Sequence, residues 1–477
     1  MRLDNQYAQF AWAGTVVQPS PLLSPKLLLL NTELAEELGI ELSQEQWRDL
    51  VGGHWVAEGM QPFAQVYAGH QFGGFSPQLG DGRAMLLGEV IAPNGQRWDL
   101  NLKGGGKTPY SRFGDGRAVL RSSLREYLAS EALYHLGIAT TRALALVTSQ
   151  QPVYREEVET GAAVLRTAPS HLRFGHFEYF YYSGKAEHIP TLLDYLIDTQ
   201  WPDLTKDVAG YGDLFGRVVE KTAQLIAQWQ LVGFCHGVLN TDNMSMLGLT
   251  LDYGPYGFLD AYDGDHICNH SDTGGRYAYD QQPAVGYWNL QRLAQSLSGV
   301  IEMDALQDAL GKYERQLMSA YSEGMLQKLG LVNWEDADPA LFRDMFSLMQ
   351  AHKVDYTCWF RRLAGVTASG AIPADLQALL PDNQCFAVWF DQYQARLGRD
   401  GTVQTERAER MNGVNPKYIL RNHLAQQAIA MAEQGDLSEA DTLLMLLARP
   451  FDEQPEFEAY AEPAPAWACD LSISCSS

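Results

Sequence analysis

Two strand-patterned runs, Ala84 to Ile91 and Arg97 to Lys103, stand five residues apart and limit what this chain can fold into more than any other feature. The connection, Ala92-Pro93-Asn94-Gly95-Gln96, holds an Asn-Gly pair, so the two runs predict a β-hairpin whose second strand ends on Lys103. The next periodic segment predicts a helix over Ser122 to Leu136, with Ser123 and Glu126 at capping-box spacing and Gly137 closing it. Further on, Leu214, Val218, Val219, Leu225, Ile226 and Trp229 recur at helical spacing between Gly212 and Gly233, which predicts a long buried helix. Beyond Gly286 the pattern is mainly helical, over Trp288 to Leu297, Ala305 to Lys328 and Lys417 to Glu433. The expected class is α+β.

Length and composition set the outer limits. With 477 residues and 46% hydrophobic side chains, the chain can bury a large core. A formal charge of -23 opposes binding to nucleic acid or anionic membranes, so any phosphate ligand must be gripped by a local basic cluster. Six cysteines without a Cys-x-x-Cys pair signal neither a zinc knuckle nor a disulfide scaffold, and favour a reducing compartment. Met1 to Gly14 carries Asp4 and lacks a basic-then-apolar leader, and Leu27 to Leu30 is too short to span a bilayer, so a cytoplasmic protein without membrane contact is expected. Four regions are expected: an extension over 1–60 with Pro19, Pro21 and Pro25; a glycine-dense β-rich lobe over 61–165; a helical lobe over 166–450; and an irregular tail over 451–477.

The residues that carry chemistry follow a definite order. Gly80-Asp81-Gly82-Arg83 leads into the first strand of the hairpin, Lys103 ends the second, and Glu126 on the following helix is its natural ion-pair partner. In the segment His236 to Asn243 the Asn follows the His by seven residues, and Asp252-Tyr253-Gly254 comes next. Glycine loop, strand lysine, helix glutamate, loop asparagine and aspartate are the parts of a protein-kinase-like two-lobed fold, with Asn and Asp as hard oxygen ligands for Mg²⁺. One part is missing. The position two residues after His236, where a kinase carries its base, is Val238, and an apolar side chain cannot take a proton. The nearest carboxylate is Asp242, so either the base has moved or the reaction is not γ-phosphoryl transfer.

Other readings are weaker. Gly104-Gly105-Gly106-Lys107-Thr108 fails as a P-loop because position 101 is Asn101 and Pro109 follows. His236 is expected to orient its loop through a hydrogen bond, His266 and His270 lack the further ligands a zinc site needs, and Tyr287 and Trp288 read as core.

Several long motifs resemble the selenoprotein O family of protein adenylyltransferases, pseudokinases that transfer AMP to protein hydroxyls. They are Val66 to Gly73, Leu79 to Arg83, Leu102-Lys103-Gly104, Pro109 to Arg112, Asp115 to Ser123 and His236 to Ser245, and the likeness spans nearly the whole chain. The resemblance implies an ATP bound with its γ-phosphate deep and its α-phosphate open to attack. It implies ATP contacts from Gly80, Gly82, Arg83, Lys103, Asp115, Gly116, Arg166, Arg173 and Asp252, a Mg²⁺ or Mn²⁺ held by Asn243 and Asp252, and Asp242 as proton acceptor. Target proteins bearing Ser, Thr or Tyr hydroxyls would then be the partners of a monomeric enzyme. Some members carry selenocysteine near the C-terminus, where this chain has Cys475; a reversible pair with Cys268 is the corresponding expectation. UMP transfer from UTP with Mn²⁺, a conventional kinase with a displaced base, and a non-catalytic nucleotide-binding scaffold remain alternatives.

Overall fold

The hairpin forms where the pattern places it. In the computed structural model, which describes residues 1–380 and 383–471, strands Ala84–Ile91 and Arg97–Lys103 pair antiparallel, from Ala84 opposite Lys103 to Ile91 opposite Arg97. At the turn Gly95 takes φ +84°, and the Asn94 side-chain oxygen accepts a hydrogen bond from the Gln96 N–H at 2.9 Å. Nearly every residue of Ala84–Ile91 is buried, so the sheet must be covered on both faces. The two-residue alternation divides the coverings. Leu86 packs with Leu120, Leu124 and Leu128 of one helix. Met85, Leu87, Leu100 and Leu102 pack on the other face against Leu34, Leu38, Trp47 and Leu50.

Those last residues come from the first sixty, which do more than wrap the body. Short helices Thr32–Glu37 and Gln44–Val51 cover the sheet, and strands Gly14–Val16 and Lys26–Leu30 form its two ends. The order across the eight-stranded sheet is Gly14–Val16, Phe63–Gln65, Ala84–Ile91, Arg97–Lys103, Val158–Ala168, Arg142–Tyr154 and Lys26–Leu30, with Ala118–Val119 pairing beside Val158–Ala168. All of these pairings are antiparallel.

The helix after the hairpin runs Leu120–His135, starting two residues before the expected Ser122. Its N-cap is the extended Val119, and no capping box forms: Ser123 lies buried inside the first turn, and Glu126 turns to cationic partners across the sheet. The charge pairing outweighs a local cap because Lys103 would otherwise be buried without an ion-pair partner. Gly137, at φ +77°, follows the helix end as the sequence indicates.

The long helix also begins early. It covers Val208–Val232, its start fixed by Asp207 accepting from the Gly210 N–H at 2.9 Å, so Gly212 lies inside it; Gly233 ends it at φ +71°. The run expected over Ala305 to Lys328 is two helices, Met303–Leu310 and Tyr313–Lys328, separated at Gly311-Lys312. The helix expected from Lys417 begins at Asn422 and ends at Glu433, and the one expected from Trp288 begins at Gln282 and ends at Leu297. A second apolar centre gathers Trp359, Trp389, Phe390 and Tyr393 among the later helices. The molecule is thus α+β, an antiparallel sheet joined to many helices. Among the described residues no helix is long and apolar enough to cross a membrane.

Candidate active site

Strand register brings the first cationic groups together. Arg166 lies opposite Asn101 on the neighbouring strand, and its Nε donates to the Asn101 side-chain oxygen at 3.0 Å. Its terminal nitrogen then bridges Glu126 at 2.9 Å and Asp252 at 2.7 Å. Lys103, at the end of its strand, forms an ion pair with the other oxygen of Glu126. Arg173, the N-cap of helix Phe174–Tyr182, donates to the Asp242 carbonyl at 2.8 Å and pairs with Asp252, while its guanidinium lies 5.1 Å from the centre of the Tyr67 ring. The result is one buried chain of alternating charge, Lys103, Glu126, Arg166, Asp252, Arg173.

This alternation sets the protonation states. Burial pushes the Asp252 carboxyl up, but Arg173, Arg166 and Lys103 outweigh it and hold it well below the usual carboxylate range. Glu126 follows the same logic: burial raises it, Lys103 and Arg166 more than reverse that, and the net shift is downward. Burial lowers Lys103 despite the attraction of Glu126. Asp252 also stands at φ +61°, a conformation costly for a residue with a Cβ.

The loop before Asp252 is tied from several sides. The buried His236 bonds the Leu251 carbonyl through Nε2 at 3.0 Å, the orienting role its position suggests. Burial lowers its pKa, so the neutral ring donates that proton. Asn243 donates from its amide nitrogen to the Val238 carbonyl at 2.8 Å, which leaves its amide oxygen as the acceptor end. Thr241 donates to Glu178 at 2.6 Å and accepts from the His70 N–H at 2.7 Å, and His70 Nδ1 lies 2.7 Å from the other Glu178 oxygen. Asp242 is buried; Gln71 donates to one of its oxygens at 3.0 Å, and the other has no protein partner. Burial is the main cause that raises Asp242 to about 7, against the opposing Gln71 hydrogen bond and Arg173.

Lys103, Arg166, Arg173, Gln71, Asp242, Asn243 and Asp252 open on one cavity of about 590 Å³, whose walls also include Gly80, Gly82, Arg83, Asp115, Gly116 and Val238. The glycine turn is held from below, with Thr108 donating to the Asp81 carbonyl at 2.6 Å and Ser111 bonding the Gly82 carbonyl. Gly116 has φ +72°, and a Cβ there would fall 2.2 Å from the Gly106 carbonyl. Asp115 is gripped by both terminal nitrogens of Arg155 at 3.0 Å each. Arg155, Gln71 and Tyr67 line this cavity without having been singled out from sequence. Gln71 lies within the run Val66 to Gly73, but only its contact with Asp242 shows what it does.

A divalent cation fits the donor set. Asn243 offers an amide oxygen and Asp252 a fully ionised carboxylate on the same cavity, the hard oxygens that Mg²⁺ combines with substrate phosphates. Among the described residues no group of three or more His, Cys, Asp and Glu side chains can hold a metal, so such an ion would depend on the nucleotide for the rest of its shell. Cys268 is buried with its sulfur 3.3 Å from that of Cys235, and burial pushes its thiol up. Cys475 lies outside the described residues. Tyr287 and Trp288 are not core as their sequence suggested: Tyr287 is exposed and Trp288 is partly exposed beside two arginines, because Val285, Gly286, Asn289 and Leu290 form the inward side of that helix.

Comparison with known proteins gives a consistent result. The family model described as Protein adenylyltransferase SelO matches residues 4–448. A protein nucleotidyltransferase YdiU from Aeromonas hydrophila is 61% identical, with 100% of each chain covered. Proteins of the same description from Pectobacterium atrosepticum and Myxococcus xanthus are 52% and 50% identical, with 98% or more of each chain covered.

Proposed function

Because the chain belongs to the protein adenylyltransferase SelO family and is a nucleotidyltransferase, we propose that it transfers AMP from ATP to Ser, Thr or Tyr hydroxyls of target proteins, releasing pyrophosphate. The observation that carries this reading is the convergence on one cavity of Asp242, Asn243, Asp252, Lys103, Arg166 and Arg173, with apolar Val238 where a kinase base would stand. A protein-kinase-like two-lobed arrangement is part of the proposal, the sheet and helix Leu120–His135 forming one wall and the helices from Phe174 onward the other.

The proposed chemistry uses groups already described. Phosphate oxygens of ATP compete with Asp252 for Arg166 and Arg173, whose planar guanidiniums suit bidentate contact with them. The backbone turn at Gly80 and Gly82 lines the cavity and packs closely on Tyr110, since a Cβ on either residue would fall within 3.0 Å of its atoms. Asn243 and Asp252 would hold Mg²⁺ or Mn²⁺, which when bound supplies charge neutralisation along the triphosphate. The acceptor oxygen attacks the α-phosphorus, the bond to the bridging oxygen of pyrophosphate breaks, and the hydroxyl proton passes to Asp242. Gln71 and Arg173 steady that carboxylate and its backbone. Catalysis is then mainly positioning and electrostatic stabilisation of charge on the reacting phosphorus.

The test uses ATP labelled at the α- or the γ-phosphate, with α-labelled UTP in parallel, Mg²⁺ or Mn²⁺, and a lysate of acceptor proteins. Acid-stable α-label from ATP, lost in Asp252→Ala, is the expected result. γ-Label on protein would overturn the reading in favour of a kinase, stronger α-label from UTP would make the transferred group UMP, and nucleotide binding without either label would leave a scaffold.

A further inference from the structure

Given that transferase reading, we propose that the face beside the catalytic cavity, built on Arg276, Trp288 and Arg292, receives an acidic side chain of the acceptor protein a few residues from the modified hydroxyl. The surface is continuous with the proposed base. A small hairpin, Gly69–Gln71 paired with Gly74–Ser76, reaches from one to the other: Gln71 donates to Asp242, and the next two residues form its tip. At that tip Phe72 adopts φ 50° and is 46% exposed, an unfavourable conformation for an aromatic side chain held at the mouth of the cavity. The Tyr277 hydroxyl accepts its N–H at 2.8 Å and so fixes it.

Behind the tip lies an unusual pair of cations. The position a Cβ of Gly73 would occupy is 3.5 Å from the Arg276 guanidinium carbon. That guanidinium stands 4.6 Å from the centre of the Trp288 ring, and the Arg292 guanidinium stands 5.2 Å from the same ring. Neither arginine makes an ion pair among the described residues, and the Nε of each is buried without a hydrogen-bond partner. In a chain with 58 acidic against 35 basic residues, two arginines against one tryptophan ring, neither ion-paired with a carboxylate among the described residues, are not a default outcome of surface composition. They leave room for an incoming carboxylate, which planar guanidiniums bind in a forked geometry.

The surroundings narrow the partner. The adjoining groove, about 580 Å³, is lined by Ile267 and Trp288 but also by Asp265 and Asp280. A run of acidic residues would meet those carboxylates, whereas one acidic side chain within an otherwise neutral or apolar segment would not. Two residues of extended chain span at most about 7 Å, so the step from Gln71 to Gly73 sets the acidic residue about two to four positions from the hydroxyl.

Short synthetic peptides test this, each with one Ser, Thr or Tyr and a single Glu, Ala or Lys scanned along the flanking positions, incubated with the full-length protein and α-labelled ATP. Glu at the favoured position should lower the peptide KM about tenfold relative to Ala, as a charge-assisted contact does. Arg276→Glu should turn the preference toward Lys, Arg276→Lys should retain it, and the KM for ATP should not move in either variant; Arg292→Glu gives an independent second reading. Labelling without positional preference, or a preference unchanged in Arg276→Glu and Arg292→Glu, overturns the docking assignment alone. Absence of α-label on every peptide and on protein acceptors overturns the transferase reading and this assignment with it.

Discussion

Lys328 ends helix Tyr313–Lys328 with its ammonium in the interior, and the structure fixes what that should cost. The residue is 4% exposed, its nitrogen donates to the Asn415 side-chain oxygen at 2.9 Å, and it lies 4.0 Å from the centre of the Phe360 ring. No carboxylate pairs with it among the described residues, and burial pushes its pKa from 10.5 down to about 7. A folded-state pKa lowered in this way means that the unfolded chain binds the proton more readily. Stability is therefore reduced at and below neutral pH, and rises as pH climbs from about 7 towards 10.5. At ~1.4 kcal/mol for each factor of ten, the full penalty is about 5 kcal/mol, of which about 2 kcal/mol should be recovered between pH 7 and 9. Lys328→Met keeps the aliphatic volume and removes the titration. It leaves the Asn415 oxygen without its donor, a cost of about 1–3 kcal/mol that does not vary with pH. Urea denaturation of both proteins across this range isolates the effect, since every other titrating group cancels in the difference. The stability of Lys328→Met minus wild type should fall by about 2 kcal/mol from pH 7 to 9. A difference that stays constant refutes the reasoning, and would mean that the aromatic faces and Asn415 keep the ammonium charged in the fold.

Three further outcomes concern the cavity. Asp252→Ala leaves Arg166 and Arg173 buried without their shared counter-charge, so thermal stability without nucleotide should fall by about 3 kcal/mol or more; added ATP should raise the melting temperature more than in wild type, and an equal rise in both would count against the competition of phosphate with Asp252. Asp242→Asn should lower kcat at least about 100-fold with the KM for ATP little changed, as loss of a general base does; full rate in steady-state assays removes Asp242 from the mechanism. Gly116→Ala places a Cβ against the Gly106 carbonyl at positive φ, so it should weaken nucleotide binding by calorimetry and lower the melting temperature, and wild-type values for both would show that the turn adjusts freely.

The parts of this molecule legible in sequence are those set by neighbours in the chain. The hairpin over Ala84 to Lys103 was readable because strand alternation and an Asn-Gly turn both act within a few residues. The pairing of Lys103 with Glu126 was readable from order alone, as strand end followed by helix, yet Glu126 also satisfied the spacing of a capping box that does not form. Local pattern cannot tell which of two partners a carboxylate takes when one of them lies across a sheet. Arg166 reached the site through family likeness, because only strand register sets it beside Asn101. Gln71 and Asp242 are 171 positions apart, Asp115 and Arg155 are 40 apart, and no periodicity links either pair. The edge strands of the first thirty residues were missed for the same reason: they are short, and nothing in them specifies what they pair with.

Those edge strands have a consequence for synthesis. Lys26–Leu30 leaves the ribosome early, but its partner residues Ala145 to Thr148 emerge much later, and the strand beside them ends only at Ala168. At ordinary elongation rates the delay is roughly six to thirty seconds, during which Leu27 to Leu30 is an apolar segment with no sheet to join. The first part of the chain to be made is thus among the last to be placed, and it is the segment for which a nascent-chain chaperone has the longest opportunity to bind.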